Sequence, residues 1–572
     1  MKAFLRFLLA LPALVGGIFP GFAQDIESML KEMSRREKIA QIIIVEIDSQ
    51  QSPSVRDQQV RWIREGLGGL IVMDDALSAN IQLINELQSY ARIPLLVSID
   101  GEWGAAMRYY EYAAFPRAMQ LGALSDASLV EQAGQAIGEE LRDLKIFVNY
   151  APDVDVNNNP GNPVINTRSF GENPGKVAGF GAAYMRGMRS AGVYGSAKHF
   201  PGHGDTDVDS HKGLPVLNFS RERLDTLELV PFRRLIAEGV EMVMVGHLSV
   251  PSLDSTGTPA SISRPIITDF LRKELGFNGI IITDALGMKG VAEGNANTAT
   301  LAYKAGADIL LMPQDVQQTI DELDAAFRKG ALDEADLDAR VRRMLRLKQK
   351  AGMLSHGYSP VVDTAGLVAK ASRPDIEQLI QRLCDRSMTV VRGKLRRPLN
   401  LRRYMAMTTR PKVAYVAFNA VSPESAEFEA EIRRHGRISR FDLPGDASPQ
   451  QIDSVGALLK GYRNVIVGIH SGTPRPRSGG PQRFATIDPE QFTRIASWSR
   501  RHRLHGVYLG NPYDLNRLPA FSRFKTFIIG YSDTHFNNIA AARALMERRS
   551  AQGVLPVAAG GLPAGYHSNL IR

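Results

Sequence analysis

The amino-acid sequence predicts an α/β protein: a (β/α)8 TIM-like barrel followed by a smaller α/β sandwich domain. Eight short apolar runs alternate with longer helical patterns between residues 39 and 313, the signature of repeated βα units. These runs are rich in Val, Ile and Leu without clean alternation, as parallel strands buried on both faces require. Polar residues gather at the C-terminal end of nearly every run, the side of such a barrel on which catalytic groups sit.

The chain opens with MKAFLRFLLALPALVGGIFPGFAQ, in which Lys2 and Arg6 precede an apolar stretch and Gly21-Phe22-Ala23 forms a small-x-small pattern. Residues 1–23 therefore read as a secretory signal peptide. Pro12, Gly16, Gly17 and Pro20 interrupt the apolar stretch, which is short of the ~20 residues of a bilayer-spanning helix. No stable membrane insertion is expected after cleavage, and the mature protein is expected to be periplasmic or extracellular.

The barrel is expected over 25–350. Its strands are sought in IAQIIIVEI (39–47), GLGGLIVM (66–73), IPLLVSID (93–100), IFVNYAPDVDV (146–156), GVYGSAKHF (192–200), EMVMVGHLSV (241–250), GIIITDAL (279–286) and ADILLMP (307–313). Helical patterns separate them, SLVEQAGQAIGEELRDL (128–144) and RERLDTLELVPFRRLIAEG (221–239) among them. Residues 351–384 read as a linker and helix, and 385–560 as a C-terminal α/β domain. Strands are expected there in SMTVVRG (387–393), PKVAYVAF (411–418), NVIVGIHS (464–471), GVYLGNP (506–512) and KTFIIGYS (525–532).

Apolar residues make up 44% and charged residues 23%, an ordinary globular balance with material for a large core. The formal charge is +9, but 69 basic residues are scattered among 60 acidic ones. No nucleic-acid partner is expected; the basic balance suits a polyanionic neighbourhood such as a cell envelope. The densest basic cluster, RGKLRRPLNLRR (392–403), reads as a linker or solvated face. Cys384 is the only cysteine, so there is no disulfide framework. Its setting in the helical IEQLIQRLCDRSM reads as a packed core position rather than a nucleophile.

The stretch KHFPGHGDTDVDSHKGLP (198–215) concentrates three histidines and three aspartates. A metal site could draw on His199, His203, Asp205, Asp209 and His211, although Pro201-Gly202 prevents His199 and His203 from pairing on a helix. Ser210 lies between Asp209 and His211, but no G-x-S-x-G elbow accompanies it. An acid/base pair fits better, because Asp209 and His211 project on one side of an extended segment. A carboxylate beside an imidazole fixes its tautomer and lets it exchange protons near neutral pH. A polar loop without a role remains open on these residues alone.

KHFPGHGDTDVDSH resembles the signature of the β-N-acetylglucosaminidases of glycoside hydrolase family 3. NYAPDVDVNNNPGNPVINTRSFGENP (149–174), VGHLSVPSLD (245–254) and PASISRPIITDFLRKELGFNGIIITDALGM (259–288) are similar to the same family's barrel. The resemblance implies a retaining exo-acting enzyme working by double displacement, with Asp284 as nucleophile and His211 as acid/base assisted by Asp209. It further implies that Asp100, Arg108, Arg168, Lys198 and His199 bind the terminal sugar, with no cofactor and no metal. His203 would shape the loop and His247 would lie near the site. Trp103 would stack on a sugar or belong to the core.

Two departures stand out. The family's D-x-E-G-G-R-V-x-R reads here as DGEWGAAMR, and the residue after the nucleophile, commonly Asp, is Ala285. The implied substrate is a β-GlcNAc-terminated oligosaccharide or peptidoglycan fragment. The alternatives are a β-glucosidase or GlcNAc phosphorylase on the same fold, and a non-catalytic glycan-binding envelope protein.

Overall fold

The computed structural model describes residues 25–293, 295–393, 413–471, 487–546 and 551–568. The expected signal peptide lies outside these residues, as does most of the basic 392–403 cluster. No helix among the described residues is long and apolar enough to cross a membrane.

All eight apolar runs of the first region contain a strand: β1 (Ile43–Ile47), β2 (Gly69–Val72), β3 (Leu96–Ile99), β4 (Val148–Asn149), β5 (Tyr194–Phe200), β6 (Met242–Val245), β7 (Ile280–Thr283) and β8 (Leu310–Leu311). They pair in parallel in the order β7-β6-β5-β4-β3-β2-β1-β8. A parallel bridge from Ile282 to Ile309 and the bond from Leu286 N to Leu311 O (2.9 Å) bring the two ends of the sheet together. The result is the expected (β/α)8 barrel.

Side-chain alternation along each strand divides the core in two. Ile44, Ile71, Leu96, Met242 and Ile282 point into the barrel, where Met344, Leu347 and Met353 close its N-terminal end. Their neighbours Val45, Val72, Val97, Val243 and Ile281 pack outward against the helices. Both faces are therefore apolar, which is why these runs carry no polar alternation. The helices start where the sequence supplies a cap. Ser34 and Glu37 form a capping box for Arg35–Gln41, and Asp126 caps Ala127–Asp143, each satisfying amide groups that a helix start leaves open.

The second region forms a six-stranded sheet of β9 (Thr389–Arg392), β10 (Val413–Phe418), β11 (Ser439–Leu443), β12 (Asn464–His470), β13 (Arg503–Leu509) and β14 (Thr526–Ile529). Its order is β11-β10-β12-β13-β14-β9, parallel except where β9 runs against β14. Strand β11 falls outside the expected runs. It is an edge strand in which exposed Arg440 and Asp442 alternate with partly buried neighbours, so it lacks the continuous apolar run of a central strand.

The two regions meet through polar contacts as well as apolar ones. Gln120 Nε2 of the barrel donates to Ser387 Oγ and to Asn537 Oδ1, each at 3.0 Å. The turn Pro512–Asn516, which follows β13, reaches the long loop after β4.

Candidate active site

The C-terminal ends of β3, β4 and β5 and the loops after them build a tightly cross-bonded floor. Lys198, at the end of β5, donates from Nζ to Asp100 Oδ1 (2.8 Å) and lies 2.8 Å from Glu102 Oε1. Arg108 donates to Asp100 Oδ2 at 3.3 Å and to Asp74 Oδ1 at 2.7 Å. Arg168 grips Glu102 through Nε and NH2 at 2.7–3.1 Å. These charges are nearly all removed from water; Lys198 is 1% exposed and Glu102 7%. Burial pushes Glu102 up, but the Arg168 and Lys198 charges reverse this and hold it well below the ordinary carboxylate range. Arg168 is correspondingly held above its ordinary value, Glu102 and Asp153 outweighing its own burial.

Asp155 anchors the start of the signature loop. It accepts from His199 Nδ1 (2.7 Å), from the His199 amide and from the His203 amide (2.7 Å). With Nδ1–H committed to Asp155, His199 Nε2 is the acceptor facing Arg168 NH2 at 3.3 Å. The Lys198–His199 and Phe200–Pro201 peptides are both cis. Asp153, beside Asp155, is pushed well above its ordinary pKa by burial and by the Asp155 charge.

Asp284 follows the last residue of β7, at the mouth of the barrel. Its amide donates to Val245 O (3.0 Å), and its Oδ1 accepts from the Ala285 amide (2.8 Å). Burial raises its pKa, but His247, His199 and the Ala285 amide overcome this and hold it at about 2, with His211 adding to the effect. Asp284 is thus ionised at neutral pH. His247 is buried; it bonds Ser261 Oγ (2.7 Å) and, through Nε2, Ala285 O (2.9 Å). It fixes the turn that aims Asp284 and has no ring nitrogen left for substrate.

Asp209 and His211 are bonded to each other, but not from the extended segment expected of them: residues 209–213 form a tight turn in which the Lys212 and Gly213 amides donate to Asp209 O at 2.8 and 3.1 Å. Asp209 Oδ1 accepts from His211 Nδ1 at 2.8 Å and from the His211 amide at 2.9 Å, which leaves Nε2 as the ring nitrogen not engaged by Asp209. Burial raises Asp209, yet the His211 amide and imidazole bring it below its ordinary value. The His211 side chain is 63% exposed. Ser210, between them, points the other way. It is buried, with Oγ 3.2 Å from His203 Nε2, and its carbonyl accepts from the Gly290 amide at 3.1 Å. His203 has the loop-shaping place expected of it, bonded also to Thr206 Oγ1 at 2.7 Å.

The eight residues singled out from the sequence all lie at this barrel mouth, in two groups: Asp100, Arg108, Arg168, Lys198 and His199 in the floor, and Asp209, His211 and Asp284 around it. The sequence reading gave no role to Glu102, Asp155, Asp74 or Gly290. Trp103 is buried, its ring under the Arg117 guanidinium at 4.1 Å, which makes it part of the core. Cys384 is buried too, and burial pushes its thiol far above its ordinary value, as befits a packing residue. Asp153, Asp155 and His199 form a compact donor set of the kind metals use. Arg168 lies 3.7 Å from Asp153 Oδ2, His199 Nδ1 is engaged by Asp155, and Asp153, raised toward its neutral form, accepts from the Asp155 amide at 3.1 Å.

Fold and polar mouth together define a (β/α)8-barrel enzyme. Residues 34–347 match the family model described as the glycosyl hydrolase family 3 N terminal domain, and the chain belongs to that family. It is 37% identical over 338 residues to beta-hexosaminidase A of Pseudoalteromonas piscicida, covering 53% of this chain and 56% of that one. It is 30% identical over 378 residues to a beta-N-acetylglucosaminidase/beta-glucosidase of Cellulomonas fimi, covering 64% and 66%. The chain thus spans less than two thirds of the length of both relatives. A solved structure, a family 3 beta-N-acetylglucosaminidase from Paenibacillus sp. str. FPU-7, superposes with a TM-score of 0.74 at 30% identity, covering 91% of this chain and 98% of that one.

Proposed function

We propose that the protein is an exported, retaining exo-β-N-acetylglucosaminidase that removes terminal GlcNAc from peptidoglycan fragments or related oligosaccharides. The observation that carries this reading is the pairing of an ionised Asp284 with an Asp209–His211 dyad across one barrel mouth. In the first step Asp284 attacks the anomeric carbon. The glycosidic C–O bond breaks and His211 Nε2 gives its proton to the departing oxygen. In the second step the same nitrogen takes a proton from water, which attacks the anomeric carbon and frees Asp284. Two inversions return the original configuration. Asp209 keeps Nε2 as the exchanging nitrogen and stabilises the imidazolium before the first step. Asp100, Arg108, Arg168, Lys198 and His199 supply acceptors and donors for the sugar hydroxyls and N-acetyl group.

An uncharged imidazole in place of a second carboxylate repels an incoming anion less, so phosphate is the competing acceptor to test. The experiment is hydrolysis of aryl β-GlcNAc and aryl β-glucoside by the mature protein and by Asp284→Asn, with and without phosphate. GlcNAc release lost by roughly 10⁴-fold in the variant is expected. Preference for the glucoside would overturn the substrate class, and a sugar 1-phosphate product would replace hydrolysis by phosphorolysis.

A further inference from the structure

The segment from Asn157 to Glu172 carries Arg168, yet it is held from outside the barrel. Tyr513 OH donates to Asn157 O at 2.9 Å, and Asn511 Nδ2 donates to Asn166 Oδ1 at 2.6 Å. The Glu172 amide donates to Pro556 O (3.2 Å), and Glu172 Oε2 accepts from the Ala558 amide (2.8 Å). All three clamps come from the second region. Asn511 is itself fixed, its Oδ1 capping the Pro512–Asn516 turn through the Tyr513 amide at 3.0 Å. Asn166 has a left-handed backbone (φ 40°) and is buried, so its position depends on the bonds its side chain makes.

From this segment two connections lead into the site. Arg168, two residues beyond Asn166, grips Glu102 and faces His199. Asn162 Nδ2 donates to His203 O at 2.9 Å, and Asn159 Nδ2 donates to Asp207 Oδ1 at 2.7 Å, which ties the segment to the loop carrying Asp209 and His211. We propose that Asn511 and Tyr513 are positioning residues, through which the second domain sets the placement of Arg168 and of the acid/base loop for glycoside cleavage. The inference rests on the assignment of Arg168 to sugar binding made above.

The test uses the full-length protein with Asn511→Ala, Tyr513→Phe and Arg168→Ala, singly and with Asn511→Ala combined with Arg168→Ala. Tyr513→Phe keeps the ring packed with Met119 and Val557 and removes only the hydroxyl, so folding is preserved. Asn511→Ala should raise KM for aryl β-GlcNAc about tenfold, the scale of a sub-ångström displacement of a binding group, with a smaller change in kcat. Tyr513→Phe should move KM in the same direction by a smaller factor. In the Arg168→Ala background Asn511→Ala should add little to KM, because Arg168 is the binding group it positions, while the smaller kcat loss passed through the acid/base loop should persist; a merely structural role would give additive losses in KM. Wild-type KM in both single variants, or additive KM losses in the double variant, would overturn the proposal. An unaltered KM in Arg168→Ala alone would instead overturn the sugar-binding assignment.

Discussion

The two halves of the barrel mouth are built on opposite principles. The floor is centred on Glu102, Arg168, Lys198 and His199, each at least nine-tenths buried as a side chain and joined to one another from β5 and the loops after β3 and β4. The Asp209–His211 pair, the proposed acid/base, stands on a loop, with His211 largely exposed and nearby Val208 43% exposed. Groups that recognise a sugar gain from being fixed before it arrives, since less ordering remains when it binds. A proton donor must also let the leaving sugar depart, and an exposed loop position permits that. Removing a loop group should therefore damage chemistry, whereas removing a floor group should damage stability and binding.

The largest effect expected is that of His211→Ala. It should lower kcat by about 10²–10⁴-fold while leaving stability within about 0.5 kcal/mol of wild type, as for an exposed position. Steady-state kinetics and chemical denaturation on one preparation check both. Next comes Glu102→Ala, which removes the hydrogen-bonded partner of the buried Arg168 and leaves Lys198 with Asp100 alone. A broken buried pair costs about 3–5 kcal/mol, so the denaturation midpoint should fall sharply and KM should rise. Equal stability losses in the two variants would erase the distinction.

A third, smaller effect probes the close contact between Gly290 and the loop that carries Asp209 and His211. A Cβ on Gly290 would meet Ser210 O at 2.7 Å and Gly213 O at 3.0 Å, closer than the backbone allows. Gly290→Ala should push the acid/base loop outward and lower kcat by roughly 10–100-fold with KM nearly unchanged. A KM-dominated defect would show that the Gly290 contact does not set the position of this loop.

The smallest effect expected on activity, one read in stability alone, concerns the layer behind the floor. Burial pushes Glu140 up to about 8, against the Ala105 amide that bonds its Oε2 at 3.3 Å. Because the folded value lies above the unfolded one, this carboxyl is neutral in both states at low pH. Stability is then lost as pH rises from the ordinary glutamate range through 8. Glu140→Gln should match wild type in melting temperature near pH 4, exceed it increasingly toward pH 8, and gain no more beyond. Parallel melting curves across that window would refute it.

Much of this was legible in the sequence, for identifiable reasons. Strands buried on both faces must be written in Val, Ile and Leu, so all eight barrel runs stood out. The polar ends of those runs pointed to Asp100, Lys198, His199 and Asp284. Asp209 and His211 were readable as a pair because their contact is local. Glu102 was not, since the partners that give it meaning, Arg168 and Lys198, lie 66 and 96 positions further along the sequence and meet it only in the closed barrel. Gly290 carried no local signal either; its need for glycine comes from the approach of the Ser210 carbonyl. Trp103 was open between core and subsite until Arg117 was found stacked upon it.

The central claim is that Asp284 forms the covalent bond and His211 moves the protons. With an activated aryl β-GlcNAc, His211→Ala should still glycosylate but should release the sugar slowly, because no base activates water. Mass spectrometry of the quenched variant should find one N-acetylhexosamine on the peptide containing Asp284. A sugar on another residue, or turnover with no covalent adduct and an inverted product, would contradict it.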